Sequence, residues 1–168
     1  SLASPNKPAG NGLPSFRQSH KPEKARAYAF LLRKFRLRSE NELRTRLKQK
    51  GFSEELSQDT INFLKDKEFI DDRVFARGWV SSRLKRPLGL RKIRLELAQK
   101  GIAKDIIQDA LAQASDDYSE SQIVNQLAQQ RFSKLKTIEP LKAKARVYGY
   151  LMRRGFSPEV ITEAVKQL

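Results

Sequence analysis

The chain has 168 residues and no cysteine, and its 34 lysines and arginines outnumber 19 acidic residues, which gives a net charge of +15 at pH 7. The absence of cysteine excludes disulfides, thiolate catalysis and cysteine-ligated metal sites. No apolar run is long enough to span a bilayer, so we expect no membrane span and a cytoplasmic location. The positive charge predicts a polyanionic partner, which is nucleic acid, an acidic protein or anionic lipid.

Residues 1–22 are rich in proline and glycine and show no apolar periodicity, so we expect a disordered tail there. The only histidine, His20, lies in this stretch and is predicted to be solvated. No segment of the chain alternates apolar and polar residues with a period of two. We therefore predict an all-α protein without a sheet.

The first three predicted helices follow this tail. Pro22 begins the first helix at a position where its missing N–H costs little. Ser39 and Glu42 form a capping box that begins the second helix, and Gly51 ends it. Ser53 caps the third helix. The residues predicted to face inward are Ala25, Ala29, Leu32, Phe35, Leu43, Leu47, Leu56, Ile61 and Leu64, with Tyr28 and Leu31 beside the first stripe.

The next three predicted helices contain the most basic part of the chain. Asp71 caps the fourth helix, and Ile70 before it forms a hydrophobic staple with Phe75. The segment 87–89 breaks this helix, and Gly101 ends the fifth. The residues predicted to face inward are Phe75, Ala76, Trp79, Val80, Leu84, Leu90, Ile93, Leu97, Ile106, Ile107, Ala110 and Leu111.

The last three predicted helices repeat these start and stop signals. A capping box at 119–122 begins the seventh helix, and Thr137 caps the eighth. Gly155 ends the eighth helix, and the pair Ser157 and Pro158 begins the ninth. The residues predicted to face inward are Ile123, Leu127, Phe132, Leu141, Ala145, Tyr148, Met152, Val160, Ile161, Val165 and Leu168.

An internal repeat appears when the chain is aligned on Gly51, Gly101 and Gly155, which lie about 50 residues apart. Five apolar positions match in all three copies, including Val147 and Leu151 of the third copy, and a basic residue precedes each glycine. A three-helix unit of this size has little core of its own, so units of this kind stack on one another. The expected fold is three tandem three-helix repeats, at 23–68, 69–115 and 116–168, stacked into an elongated, curved array. The alternative is a single compact nine-helix domain, but the repeat favours the array.

Basic residues cluster at equivalent places in the first and second repeats, where stacking would join them into one strip. Leu95 lies among the cations of the second cluster and either packs under a neighbouring repeat or belongs to a binding surface. A merely solvated basic face is the alternative for both clusters. The candidate partner-binding residues are Arg77, Lys85, Arg86, Arg91, Lys92, Arg94, Leu95, Arg44 and Lys48.

No motif for catalysis, nucleotide binding or metal binding is present in the sequence. The acidic residues fall mostly at predicted helix starts, where capping and the helix dipole account for them. We therefore expect a non-enzymatic protein without a cofactor.

Three motifs resemble the RecX family, the bacterial regulators of the RecA recombinase. The first is the segment 37–44 with 50–52, and the second is 69–76 with Trp79. The third is the segment 89–97 with 100–102, and the similarity extends over roughly residues 25 to 168.

This resemblance implies a protein that lies in the groove of the RecA–DNA filament, and we expect it to be a monomer. It further implies that the protein limits filament growth and suppresses strand exchange, ATP hydrolysis and co-protease activity, and so acts in homologous recombination, DNA repair and the SOS response. Direct contact with single- or double-stranded DNA stays open. One alternative is a stand-alone DNA- or RNA-binding module, and a weaker one is a membrane-surface or scaffolding protein.

Overall fold

The computed structural model describes residues 21–168, and within that range the chain forms nine α-helices and no β-strand. In chain order the helices are α1 (Pro22–Phe35), α2 (Glu40–Lys50), α3 (Glu54–Asp66), α4 (Asp72–Leu84), α5 (Leu90–Gln99), α6 (Lys104–Ser115), α7 (Glu120–Ser133), α8 (Pro140–Arg153) and α9 (Pro158–Lys166). The predicted all-α fold class is confirmed. Residues 1–20, with most of the predicted tail and His20, lie outside the described part. None of the nine helices is long and apolar enough to cross a bilayer.

Local hydrogen bonds at the helix starts follow the sequence. The Ser39 hydroxyl accepts a bond from the backbone N–H of Glu42 at 3.1 Å, and the Glu42 carboxylate accepts one from the backbone N–H of Ser39 at 3.1 Å. This confirms the predicted capping box. The side chains of Ser53 and Asp71 accept backbone bonds in the same way at the starts of α3 and α4.

The predicted helix ends are confirmed by three glycines in the left-handed region, which is costly for other residues. Gly51, Gly101 and Gly155 have φ values of +103°, +76° and +83°. Each follows the second helix of a group of three. We therefore call α1–α3 the first repeat, α4–α6 the second and α7–α9 the third.

Each repeat encloses an apolar core of its own, and the helix pairs that pack most extensively lie within one repeat. Leu43, Leu47 and Ile61 are fully buried in the first core, and Ile93 and Leu97 in the second. The tandem three-helix arrangement is therefore confirmed. In the described part of the chain, the cores do not merge into the single core that a compact nine-helix domain would need.

The predicted inward face of α1 is partly wrong. Ala25 and Ala29 are fully buried, but Phe35 is 75% exposed and Leu31 is 51% exposed. Helix α1 ends at Phe35, and α2 and α3 pack against the side that carries the two alanines. The predicted staple also differs, because Ile70 packs in the first core and Phe75 in the second.

The start of α8 was predicted wrongly, and its predicted inward face is only partly correct, since Tyr148 does pack against the third core. The N-cap is Glu139 instead of Thr137, and its carboxylate accepts bonds from two backbone N–H groups of the first turn. Leu141 is 74% exposed and Met152 is 37% exposed. Helices α7 and α9 pack instead against a parallel stripe with the same helical period. That buried stripe consists of Ala143, Val147 and Leu151.

Two junctions join the repeats in series, and both use the second helix of each repeat. At the first junction, the Ser39 hydroxyl at the start of α2 donates to the backbone carbonyl of Lys100 at the end of α5, at 2.8 Å. At the second junction, the backbone N–H of Gly89 at the start of α5 donates to the carbonyl of Arg154 at the end of α8, at 2.8 Å. The positive end of one helix dipole thus meets the negative end of the next, which stabilises the stack.

A carboxylate reinforces each junction from the same position, the first residue of the following repeat's first helix. Asp72 accepts a bond from the backbone N–H of Glu40 at 2.9 Å, and Glu120 accepts one from the backbone N–H of Leu90. Burial raises the pKa of both Asp72 and Glu120, although these backbone bonds oppose the shift. The internal repeat therefore extends to the way in which the repeats contact one another.

Glycine is required at position 89 because a side chain would not fit at the second junction. Its φ is −77°, which any residue adopts, but a Cβ at this position would lie 2.0 Å from the carbonyl oxygen of Gly155. The sequence predicts Gly89 only as part of a helix break. The structure shows that it also lets the third repeat approach the second.

Candidate polyanion-binding surface

Two predicted site residues, Arg77 and Lys85, lie on an open groove between α4 and α6 of about 480 Å³. Both side chains are exposed. Apolar residues such as Val80 and Leu84 form part of the groove, and Asp117 contributes an acidic group to its lining. This groove is therefore mixed in character, with cations on one side.

Two other predicted residues, Arg86 and Lys92, meet in a cleft of about 400 Å³ between the second and third repeats. We call this the junction cleft. Among the described residues, no acidic side chain lines it. Its lining consists of Arg83, Arg86, Leu88, Lys92, Tyr150, Arg153 and Arg154.

Arg153 and Arg154 were not predicted as site residues, because both belong to the third repeat and the predicted basic clusters lie in the first two. They reach the cleft only because the end of α8 contacts the start of α5. Arg154 also donates from its guanidinium to the backbone carbonyl of Pro87 at 3.2 Å. The repeat alignment did contain a signal, since a basic residue precedes the helix-ending glycine in every copy.

Arg83 is committed to a network inside the second repeat. Its Nη2 donates to the Glu96 carboxylate at 2.7 Å, and the same carboxylate accepts a bond from the indole N–H of Trp79 at 2.9 Å. The ammonium of Lys100 lies 4.4 Å from the Trp79 ring centroid, a cation–π geometry. This network ties α4 to α5, so Arg83 borders the cleft while its charge is already balanced.

Arg91 lies on a different side of the second junction, near Glu120 and Glu159. The hydrogen bond from Ser157 is the main cause that lowers the pKa of Glu159, and the charge of Arg91 adds to it. Arg91 also counteracts the burial that raises the pKa of Glu120. Arg91 is therefore partly balanced by neighbouring carboxylates.

Arg94 and Leu95 are neighbours on α5, and both are exposed. Leu95 is 59% exposed, so it does not pack under a neighbouring repeat in the described part of the chain. Of the two alternatives for Leu95, the structure favours the surface position.

The predicted residues of the first repeat lie on α2 and turn toward α3. The Arg44 guanidinium donates to the side chain of Gln58 at 3.1 Å, and the Lys48 ammonium pairs with Glu54 at 2.7 Å. Arg36 likewise pairs with Glu42 at 3.1 Å. Several cations of the first cluster are therefore engaged within the first repeat, which interrupts the proposed basic strip.

The first repeat also has exposed apolar side chains that the sequence analysis placed in no site. The rings of Phe30 and Phe69 contact each other edge to face, with centroids 4.9 Å apart, and they are 37% and 40% exposed. Leu31, Phe35 and Leu37 are exposed on the same repeat. Apolar exposure of this kind is typical of surfaces that contact another protein.

Charge distinguishes the two junctions. At the first junction, the Lys100 ammonium pairs with Glu42 at 2.9 Å. Burial by itself would raise the pKa of Glu42, but hydrogen bonds from Arg36, Lys100 and the backbone of Ser39 lower it to about 2. At the second junction the corresponding positions hold Lys92 and Arg154, two cations.

Comparison with known proteins identifies the family. Family models described as the first, second and third three-helix domains of RecX match residues 25–64, 71–111 and 119–165. The chain belongs to the RecX family. The matched segments cover one core each, in the order of the three repeats.

Relatives in this family are named "Regulatory protein RecX". One from Chlorobium limicola is 31% identical over 150 residues, which cover 89% of this chain and 92% of the relative. One from Clostridium botulinum is 34% identical over 133 residues, and this chain spans only 62% of its length. A relative from Pasteurella multocida is 34% identical over 122 residues, which cover 72% of this chain and 73% of the relative.

Solved RecX structures have the same fold. A crystal structure of regulatory protein RecX superposes with a TM-score of 0.76 at 26% identity, covering 88% of this chain and 72% of that one. The structure of RecX from Lactobacillus salivarius superposes with a TM-score of 0.77 at 24% identity, covering 88% of this chain and 96% of that one.

Proposed function

We propose that this chain is a regulatory protein that binds the RecA–DNA filament and inhibits the recombinase, its ATP hydrolysis and its co-protease activity. It acts as a cytoplasmic monomer without catalysis of its own. The RecX family membership supports the regulatory role, since the relatives are named regulatory proteins.

One observation supports a contact surface on the second repeat. In residues 21–168, none of the exposed cations predicted there forms an ion pair with another residue. They are Arg77, Lys85, Arg86, Arg91 and Arg94, of which Arg91 is partly balanced by nearby Glu120 and Glu159, and the half-buried Lys92 forms no ion pair either. Unbalanced exposed charge gives little stability to a fold, so a partner with acidic groups is the simplest reason for this surface.

The exposed apolar residues favour a partner that presents a protein surface over one that is naked nucleic acid. Leu95 lies beside Arg94, and the Phe30–Phe69 pair is exposed on the first repeat. Phosphate groups gain nothing from apolar side chains, whereas a protein surface buries them on contact. Because the repeats follow one another in series, they suit successive subunits of a filament.

The test is RecA ATPase activity on single-stranded DNA with this protein added at less than one molecule per recombinase. We expect inhibition that grows with concentration. The variant Arg94→Glu with Leu95→Glu should need an about tenfold higher concentration for the same inhibition, because it removes one charged and one apolar contact with the partner.

The matched control is Leu141→Glu with Lys142→Glu, which changes an exposed leucine beside a cation on the third repeat. It should inhibit as well as the unaltered chain, and circular dichroism should show equal helix content in all three proteins. Absence of inhibition by the unaltered chain at every ratio would contradict the function. Equal loss in both variants would contradict the placement of the surface.

A further inference from the structure

The junction cleft concentrates positive charge from three separate segments of the chain. Arg83 and Arg86 come from the end of α4 and the residues after it, Lys92 from α5, and Arg153 with Arg154 from the end of α8. We infer that this cleft binds the sugar–phosphate backbone of single-stranded nucleic acid directly. The inference goes beyond filament regulation, because it concerns this chain without any recombinase.

Four of the five cations in the cleft lack a counter-charge within residues 21–168. Arg83 pairs with Glu96, but Arg86, Lys92, Arg153 and Arg154 form no ion pair with any residue of 21–168. Like charges gathered in one cleft repel one another and raise the local positive potential. An anion inside the cleft removes that repulsion, so the arrangement favours anion binding.

The excess of positive charge is specific to the second junction, as a comparison with the equivalent positions of the first junction shows. Glu42 and Lys92 are each the third residue of their helix, and Lys100 and Arg154 each precede the left-handed glycine. Glu42 and Lys100 form an ion pair at 2.9 Å, so the first junction is balanced internally. With Lys92 in place of the acid, the same backbone contact leaves two cations that need an external anion.

The side chains favour a phosphate over a protein carboxylate. Arginine presents several N–H donors to the oxygens of a phosphate, and three of the four cations without a counter-charge are arginines. The Tyr150 ring also lines the cleft, with the guanidinium of Arg154 5.0 Å from its centroid. An aromatic ring beside guanidinium groups is suited to a base next to a phosphate, as single-stranded nucleic acid provides.

The experiment is fluorescence anisotropy of a labelled oligothymidylate with the full chain alone, across a series of salt concentrations. The test variant is Arg86→Glu with Arg153→Glu, since both residues are exposed and make no hydrogen bond across the junction. We expect an at least tenfold weaker affinity and a salt slope reduced by about 1 for each lost phosphate contact.

The control variant is Lys136→Glu with Lys142→Glu, which changes the net charge equally on exposed residues outside the cleft. It should lower the affinity much less. Equal loss in the two variants, or no loss in the cleft variant, would overturn the inference, because binding would then follow net charge or another surface.

Two further arms identify the ligand chemistry. Polyglutamate should compete poorly with the oligothymidylate, and equal competition at equal charge would assign the cleft to acidic protein surfaces instead. Tyr150→Leu should weaken binding of the oligothymidylate several-fold but leave inorganic polyphosphate binding unchanged. An equal effect on both ligands, or on neither, would overturn the nucleotide assignment. A negative result in these assays leaves the ATPase test of filament regulation unaffected.

Discussion

Glu42, which pairs with Arg36 within the first repeat and with Lys100 across the first junction, should make a measurable contribution to the stability of the fold. The variant Glu42→Gln tests it, because glutamine retains an oxygen that can accept the backbone N–H of Ser39 and preserves the capping box. The substitution therefore removes the charge while the local helix start stays intact.

The expected magnitude follows from the pKa of Glu42, which is lowered from 4.5 to about 2. Full conversion of that shift gives about 3 kcal/mol. The Glu42 side chain is 17% exposed and its partner Arg36 is 47% exposed, so solvent screening reduces the effect to about 1–2 kcal/mol. We expect the free energy of unfolding to fall by that amount at pH 7.

The lowered pKa of Glu42 also determines how the stability difference between the two proteins changes with pH. A carboxylate whose folded-state pKa is depressed stabilises the fold above its unfolded pKa, and this contribution disappears as the pH falls through the folded value. The difference between the two proteins should therefore be constant above about pH 5 and vanish as the pH falls toward about 2, the pKa of Glu42 in the folded state. Urea unfolding followed by circular dichroism at several pH values measures it.

The control is Glu54→Gln, which breaks an ion pair of similar length, between Lys48 and Glu54 at 2.7 Å. The Glu54 side chain is 79% exposed, so its removal should have a clearly smaller effect than that of Glu42. The reasoning would be refuted if both variants lost the same stability, or if the Glu42 difference did not change with pH.

Four more substitutions, one of them a control, test other parts of the fold. Gly89→Ala should loosen the contact of the third repeat, because the new Cβ would lie 2.0 Å from a backbone oxygen, and proteolysis near α8 should become faster. The control is Gly51→Ala, where a Cβ has open space. It should lower the free energy of unfolding by only about 1–2 kcal/mol, because of the φ of +103°. Leu97→Ala should lower the free energy of unfolding by about 2–5 kcal/mol through a core cavity, and a melting temperature unchanged from the parent would contradict its full burial. Burial raises the pKa of Tyr118 to about 12. The stability that Tyr118 contributes should therefore be present below pH 10 and lost as the pH rises toward 12, and Tyr118→Phe should abolish this alkaline dependence in urea unfolding.

The sequence by itself determined the helices and their repetition, because the signals are local. Ser39 with Glu42 satisfies backbone groups within one turn, and Gly51 adopts a left-handed φ that other residues avoid. The alignment on the three glycines also identified Val147 and Leu151 as counterparts of core residues, although the separate stripe predicted for α8 placed other residues inward. Local patterns of this kind act within a few residues and do not depend on the rest of the fold.

Only the tertiary structure decided which of two apolar stripes is buried and which cations share a site. On α8 both stripes have the helical period, and the packing of α7 and α9 selects the one that ends at Leu151. Lys92 and Arg154 meet because the end of one helix contacts the start of another, in a different repeat. Arg83 lies on α4 and pairs with Glu96 on α5. Burial and charge balance arise from contacts between distant segments, so no local pattern in the sequence specifies them.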